Sequence, residues 1–111
     1  MAIELLPKGT ISVGAKRLLD IDCRNELPDG VDLAAPLTIT EATGDLAITD
    51  DGITSEALEI LDENVEAGRA IRCLIDATGA TEGIVYVIEI KCATDSSPAE
   101  LLAYEYHLEA V

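Results

Sequence analysis

The feature that most constrains this sequence is a series of short apolar–polar alternations separated by turns rich in glycine and aspartate. A period of two places successive side chains on opposite faces of a strand, so each run predicts a strand with one buried and one solvated face. Many short strands at regular spacing are typical of a sandwich or a barrel. The predicted strands are centred on residues 19–23, 37–39, 46–48, 58–60, 71–75, 86–92 and 102–108.

The fold class predicted from this pattern is all-β: an immunoglobulin-like antiparallel β-sandwich of about seven strands. Residues 11–111 are predicted to form one domain. Residues 1–10 lack a clear pattern, so we expect an N-terminal arm that orders only on a partner. A helix is the alternative for residues 55–65, which are rich in helix formers. The triplet Asp50-Asp51-Gly52 is predicted to be a turn that ends the third strand, with a positive φ at the glycine.

The charge balance excludes several classes of partner. The chain has 22 acidic and 7 basic residues among 111, for a formal net charge of −15. Nucleic acid and anionic membranes both attract cationic surfaces, so neither is an expected partner. Such a charge promotes solubility and favours partners with basic patches. With no Phe or Trp and only three Tyr, the core is expected to be aliphatic.

The lack of targeting signals in the sequence and its cysteine usage together predict synthesis in a reducing cytosol. The first ten residues contain no basic stretch followed by an apolar run, and no segment reaches the ~20 apolar residues of a membrane span. The cysteines are odd in number and widely spaced, without a CxxC motif, so neither a zinc site nor another cofactor is expected. A disulfide between Cys23 and Cys92 is conceivable, but buried free thiols are favoured for these two and for Cys73.

The residues that could take part in catalysis do not form a recognisable catalytic motif. His107, the single histidine, lies on the charged face of the last predicted strand beside Glu105 and Glu109, and no nucleophile motif such as GxSxG accompanies it. Asp45, Asp50 and Asp51 could coordinate calcium, although their spacing matches no EF-hand and a solvated turn is the favoured interpretation. We therefore predict that the protein is not an enzyme.

Motifs along nearly the whole chain resemble those of a known group. They are the Leu-Pro-Lys of the arm, the strand at residues 17–22, Leu-Pro-Asp-Gly-Val-Asp-Leu at 27–33 leading into 37–39, Asp-Gly-Ile-Thr at 51–54, and residues 67–68, 82–88, 94–95 and 108. In this order they resemble the small tailed-bacteriophage virion accessory proteins with an immunoglobulin-like fold, encoded among head and head–tail genes. The usual aromatic residues of that group are missing here around residues 25–27.

The resemblance implies a virion structural protein made in the host cytoplasm, a capsid decoration or head–tail accessory subunit that binds other virion proteins in many copies. The alternative is an acidic DNA-mimic inhibitor of a host nucleic-acid-binding protein, motivated by the charge. A sugar-binding platform is disfavoured because its aromatic rings would have to be exposed, whereas all three tyrosines are expected to face inward. Candidate interface residues are the arm's Ile3, Leu5, Leu6, Pro7 and Lys8 and the scarce cations Arg17, Arg69 and Arg72.

Overall fold

The computed structural model describes residues 3–111, which form strands and turns and one short 3₁₀ turn, Arg24–Glu26. The strands are β1 (Ile3–Leu5), β2 (Gly9–Ile11), β3 (Lys16–Asp22), β4 (Leu33–Glu41), β5 (Ala47–Ile53), β6 (Leu58–Ile60), β7 (Glu63–Val65), β8 (Ala70–Asp76), β9 (Val85–Thr94) and β10 (Leu101–Ala110).

Two sheets and a hairpin make up the architecture. The larger sheet has the order β1-β10-β9-β4, with β2 also pairing with β10, and the smaller sheet has the order β3-β8-β5. All pairings are antiparallel except those of β1 and β2, which run parallel to β10. The hairpin β6–β7 stands apart from both sheets. The predicted all-β antiparallel sandwich is thereby confirmed, while its narrower immunoglobulin-like assignment stays a prediction.

The core lies between the two sheets and is mainly aliphatic, as the composition predicts. Alternate residues of β8, β9 and β10 point inward, which is the direct result of the period of two in their sequences. The three tyrosines are among these buried residues, so the inward orientation expected for them is confirmed. The largest fully buried side chains are Tyr86, Tyr104, Ile71, Ile75, Ile88, Ile90, Leu108 and Val65.

The segments without a clear period differ from the predictions. Three strands, β1, β2 and β7, are additional to the predicted seven. The helical alternative for residues 55–65 is wrong, because β6 and β7 form a hairpin there with a reversal at Leu61 and Asp62. The predicted turn at residues 50–52 is also wrong: β5 continues through it, and the register against β8 shifts between Thr49 and Gly52 as in a bulge. The positive φ falls on Asp50, not on the glycine.

The N-terminal arm is paired within the chain. Residues 3–5 form β1 and residues 9–11 form β2, and both strands align with β10. The expectation that the arm orders only on a partner is therefore wrong for these residues, since the exposed edge of β10 satisfies their backbone groups. The predicted boundary between residues 10 and 11 falls inside β2. The first two residues of the predicted arm lie outside the described residues.

Candidate functional site

The strand β1 is the outermost strand of the larger sheet. Its side chains Ile3 and Leu5 are 59% and 62% exposed, although both are aliphatic. The backbone N–H of Leu6 donates to the carbonyl of Glu105 at 2.9 Å. Because backbone groups of successive residues point to alternate sides of a strand, the N–H and C=O of Leu5 face the open edge. An open edge with exposed aliphatic side chains can accept a further strand.

The other sheet edges carry features that discourage pairing. The register of β4 shifts between Ala34 and Leu37, around Pro36, and β5 has its own shift before Gly52. The edge strand β3 carries the charged residues Lys16, Arg17, Asp20 and Asp22, although its Leu18 is 51% exposed. Bulges, proline and charge are the common protections of a sheet edge. Within residues 3–111, β1 therefore has a less protected edge than β3, β4 or β5.

A groove runs beside β1. We call it the β1 groove, and define it by the residues that line it: Ile3, Glu4, Glu26, Glu100, Leu101, Leu102, Ala103 and Tyr104. Its volume is about 600 Å³. The register pairs Glu4 with Tyr104, which places the Glu4 carboxylate on the inward side of β1, toward the 3₁₀ turn that carries Glu26. Two acidic side chains and a phenol thus meet at one end of the sandwich.

The polar groups of the β1 groove are poorly satisfied. Glu26 Oε2 and the Tyr104 hydroxyl are buried and have no hydrogen-bond partner among residues 3–111. Tyr104 is only 2% exposed. Burial, together with the nearby Glu4 carboxylate, raises the pKa of Glu26 to about 7. Burial also raises the pKa of Tyr104, with contributions from Cys23 and the two carboxylates. In native proteins nearly all buried polar atoms are paired, with protein groups, ordered water or bound ions.

The residues predicted at the interface lie in three different settings. Ile3 and Leu5 are exposed at the β1 edge, whereas Leu6 packs against the core. Pro7 is exposed. Lys8 pairs with Glu109 at 3.3 Å on the last strand. The apolar part of the predicted interface is thus brought together at β1, and its basic part is not.

The three arginines of the prediction interact locally. Arg17 Nη1 donates to the carbonyl of Thr10 at 2.6 Å. Arg72 binds Asp20 across β3 and β8 through two hydrogen bonds of 2.6 and 2.9 Å. Arg69, which is largely buried, donates to the carbonyls of Leu27 and Val31 at 3.1 and 3.3 Å. These contacts occupy the guanidinium groups within the fold, so little of Arg69 is presented to a partner.

His107 lies on the outer face of β10, as predicted. Its Nε2 is 3.6 Å from Glu105 Oε2 and has no hydrogen-bond partner among the described residues. Glu105 stands directly opposite Glu89 on β9, an unfavourable cross-strand pair of like charges. The histidine therefore lies beside Glu105 on the outer sheet face, with its Nε2 buried.

The three aspartates considered as calcium ligands lie in two different settings. The hydroxyl of Tyr86 donates to Asp45 Oδ2 at 3.0 Å and accepts from the backbone N–H of Thr81 at 2.8 Å. Asp50 and Asp51 are exposed on β5. Across residues 3–111, no set of three or more His, Cys, Asp or Glu side chains is arranged to hold a metal ion.

All three cysteines are free and buried, which confirms the prediction of buried thiols. Burial raises the pKa of Cys23 to about 12 and that of Cys73 to about 11, and it raises the pKa of Cys92 as well. Thiols with raised pKa values are poor nucleophiles at neutral pH.

The described residues also contain no helix with the length and apolar character of a membrane span.

The comparisons with known proteins bear on the fold. A nucleoside hydrolase-related hypothetical protein from Saccharophagus degradans, associated with carbohydrate metabolism, matches over 99% of this chain with a TM-score of 0.55 and 11% identity. A family 123 glycoside hydrolase from Clostridium perfringens matches over 100% of it, with a TM-score of 0.44 and 8% identity. The chain covers 23% and 24% of those two proteins, about a quarter of their length. No family model and no curated protein matches.

Sequence reasoning missed the polar residues of the β1 groove. Glu4 gives no signal in the sequence because the arm has no alternation. Glu26 gives none because acidic residues are common throughout the chain. Their meeting depends on the parallel docking of β1 on β10, a contact between the two ends of the chain. The alternation of β10 did predict that Tyr104 points inward.

Proposed function

We propose that the protein is a non-enzymatic structural subunit of a tailed-bacteriophage virion, a capsid decoration or head–tail accessory protein that binds a repeating protein lattice through β1. The observation that carries the proposal is the open β1 edge, where Ile3 and Leu5 are exposed and the outer backbone groups pair with no other strand among residues 3–111. A partner strand added to this edge gains main-chain hydrogen bonds and buries both side chains. The sequence resemblance supplies the virion as the setting.

Charge complementarity defines the partner strand. Glu4 and Glu105 belong to the two strands at this edge, and Glu100 and Glu26 line the adjoining groove. The partner is therefore expected to present lysine or arginine beside apolar residues. The net charge of −15 keeps free copies apart at low salt, while display on a lattice lets many weak contacts act together.

The first test is whether the protein is present in purified virions of the phage that encodes it, measured by quantitative mass spectrometry. The second uses Leu5→Pro, which removes the N–H that faces the open edge and leaves the Leu6–Glu105 hydrogen bond in place. We expect incorporation of this variant to fall roughly tenfold or more, because proline blocks strand addition.

Leu5→Ala is the matched control, since it shortens the same side chain but keeps the N–H. It is expected to lose only the contribution of the Leu5 side chain and so to be incorporated better than Leu5→Pro, and circular dichroism checks that both variants are folded. Wild-type incorporation of Leu5→Pro would contradict binding through the β1 edge. Absence of the protein from virions would contradict the virion role itself.

A second candidate, the acidic inhibitor that mimics DNA, is favoured by the distribution of charge. The stretch between Arg24 and Arg69 contains more than half of the acidic residues and no lysine or arginine. Its exposed members include Asp50 on β5 and Glu59 and Asp62 in the β6–β7 hairpin. Salt-sensitive competition with duplex DNA for a purified host DNA-binding protein tests this candidate, and no competition at low salt contradicts it.

A further inference from the structure

The β1 groove combines an apolar wall with an acidic end. The wall includes Leu102, which shares the inward face of β10 with Tyr104. At the acidic end, Glu26 Oε2 and the Tyr104 hydroxyl are two buried oxygens with no hydrogen-bond partner among residues 3–111. Leaving such atoms unpaired is unfavourable, so the groove is suited to a ligand that donates several hydrogen bonds from one positively charged centre.

We propose that the β1 groove binds a primary alkylammonium group. The ammonium carries three N–H donors and no acceptor, and the groove presents three acceptors in Glu4, Glu26 and Tyr104. The alkyl stem lies along the aliphatic wall, as lysine stems do on apolar surfaces. Two sources supply this chemistry: a free alkylamine, or a lysine side chain of a protein.

Several observations favour ammonium over other cations. The described residues contain no group of three metal-ligating side chains, whereas calcium takes six to eight oxygen ligands. A guanidinium needs a flat acceptor pair for its planar fork, while an ammonium fits acceptors that converge from three elements. Here Glu4 comes from β1, Glu26 from the 3₁₀ turn and Tyr104 from β10.

Binding is coupled to proton release from the groove. Below about pH 7 the Glu26 carboxyl holds a proton, and an arriving ammonium must displace it to pair with the carboxylate. The other titratable groups near Glu26 are Glu4 on β1, Asp22 at the end of β3, Cys23, Glu100 and Tyr104 on β10. Affinity for the ammonium is therefore expected to rise as the pH increases through about 7.

The test is an NMR titration of ¹⁵N-labelled full-length protein with n-butylammonium chloride, at about pH 8 and about pH 5.5, on either side of the Glu26 pKa. We expect saturable shifts at the amides of Glu4, Glu26 and Tyr104, with weaker affinity at the lower pH. Glu26→Gln should weaken binding roughly tenfold, and Tyr104→Phe a few-fold, because each removes one strong acceptor. Glu59→Gln, an exposed carboxylate on β6, is the control that leaves binding unchanged.

Comparison ligands make the test decisive. The assignment would be overturned if n-butanol caused equal shifts, or if n-butylguanidinium or calcium chloride bound more tightly than n-butylammonium. It would also be overturned if the Glu26→Gln protein melted like the wild type and bound n-butylammonium with unchanged affinity. An acetylated, amidated Gly-Lys-Gly peptide separates the sources: binding at least as tight as n-butylammonium identifies a protein lysine, and binding of the free amine alone identifies a small amine. The result is independent of virion incorporation, so it can fail while the lattice proposal stands.

Discussion

The strands β1 and β2 are both three residues long and both pair in parallel with β10, but they are anchored very differently. In β2, Ile11 is 3% exposed and belongs to the core. Its carbonyl accepts from the N–H of Val111, whose own carbonyl accepts from Val13. In β1, Ile3 and Leu5 are exposed and the single carboxylate, Glu4, lies beside a groove with unpaired polar atoms among the described residues. The same pairing thus closes the sandwich at one end and leaves an open groove at the other.

The largest expected difference is between their isoleucines. Ile11→Ala should lower the free energy of unfolding by about 2–4 kcal/mol, because it leaves a cavity beneath β10. Ile3→Ala removes an exposed side chain and should change it by about 0.5 kcal/mol or less. Urea denaturation followed by circular dichroism measures both. Equal losses would mean that β1 is as much a part of the folded core as β2.

A glycine provides the next test of how closely β2 fits. A Cβ at Gly9 would collide with the hydroxyl of Tyr106 and lie 2.9 Å from its Cζ. Gly9→Ala should therefore destabilise the protein by about 1–3 kcal/mol, as overpacking commonly does. Gly52→Ala is the matched control, since nothing lies within 4 Å of its Cβ position. If both variants melt like the wild type, Tyr106 moves aside freely and β2 is less closely packed than its burial indicates.

The sequence predicts the long strands and not the short ones for a physical reason. In β9, the alternation of Tyr86, Ile88, Ile90 and Cys92 extends over enough residues to reveal a buried face. The three residues of β1 or β2 are too few to display a period, and their pairing depends on a strand about a hundred residues away along the chain. The prediction of an unpaired arm failed there because local pattern contains no information about that distant edge.

The same limit applies to the candidate site. The exposed aliphatic residues of the arm were predicted at an interface because they stood outside any pattern, and the structure places Ile3 and Leu5 on the surface. The scarce arginines are weaker candidates for an interface, because in so acidic a chain each has many carboxylates within reach. Arg72 and Asp20, for example, meet because their strands pair antiparallel in that register.

The pH dependence of stability tests whether β1 closes over Glu26. The pKa of this carboxyl is raised from 4.5 to about 7 in the folded protein, so between these values the folded state binds the extra proton. Its contribution to stability is complete below about pH 4.5 and is lost as the pH rises through about 7. The change in stability is smaller than the full pKa shift implies, because Glu26 is only half-buried and solvent screens its charge. We expect the melting temperature to fall by on the order of 4 °C from about pH 5 to about pH 8.

Glu26→Gln keeps the shape of the protonated side chain and cannot titrate, so its melting temperature should be less dependent on pH over this window. Asp22, Glu41 and Asp76 have lowered pKa values, and the stability they contribute is lost only at more acidic pH, where it does not interfere. An identical pH profile in Glu26→Gln would show that β1 does not bury this carboxyl in solution.

The smallest effect is expected at Lys8, in the segment that joins the two strands. Its ammonium is 3.3 Å from Glu109, and the two side chains are 56% and 37% exposed. Exposed ion pairs contribute little, so Lys8→Gln should change the free energy of unfolding by about 0.5 kcal/mol or less, and salt should remove the difference. A loss above about 1 kcal/mol would mean that the connection between β1 and β2 is fixed on β10, and that β1 is anchored through its neighbour rather than through its own side chains.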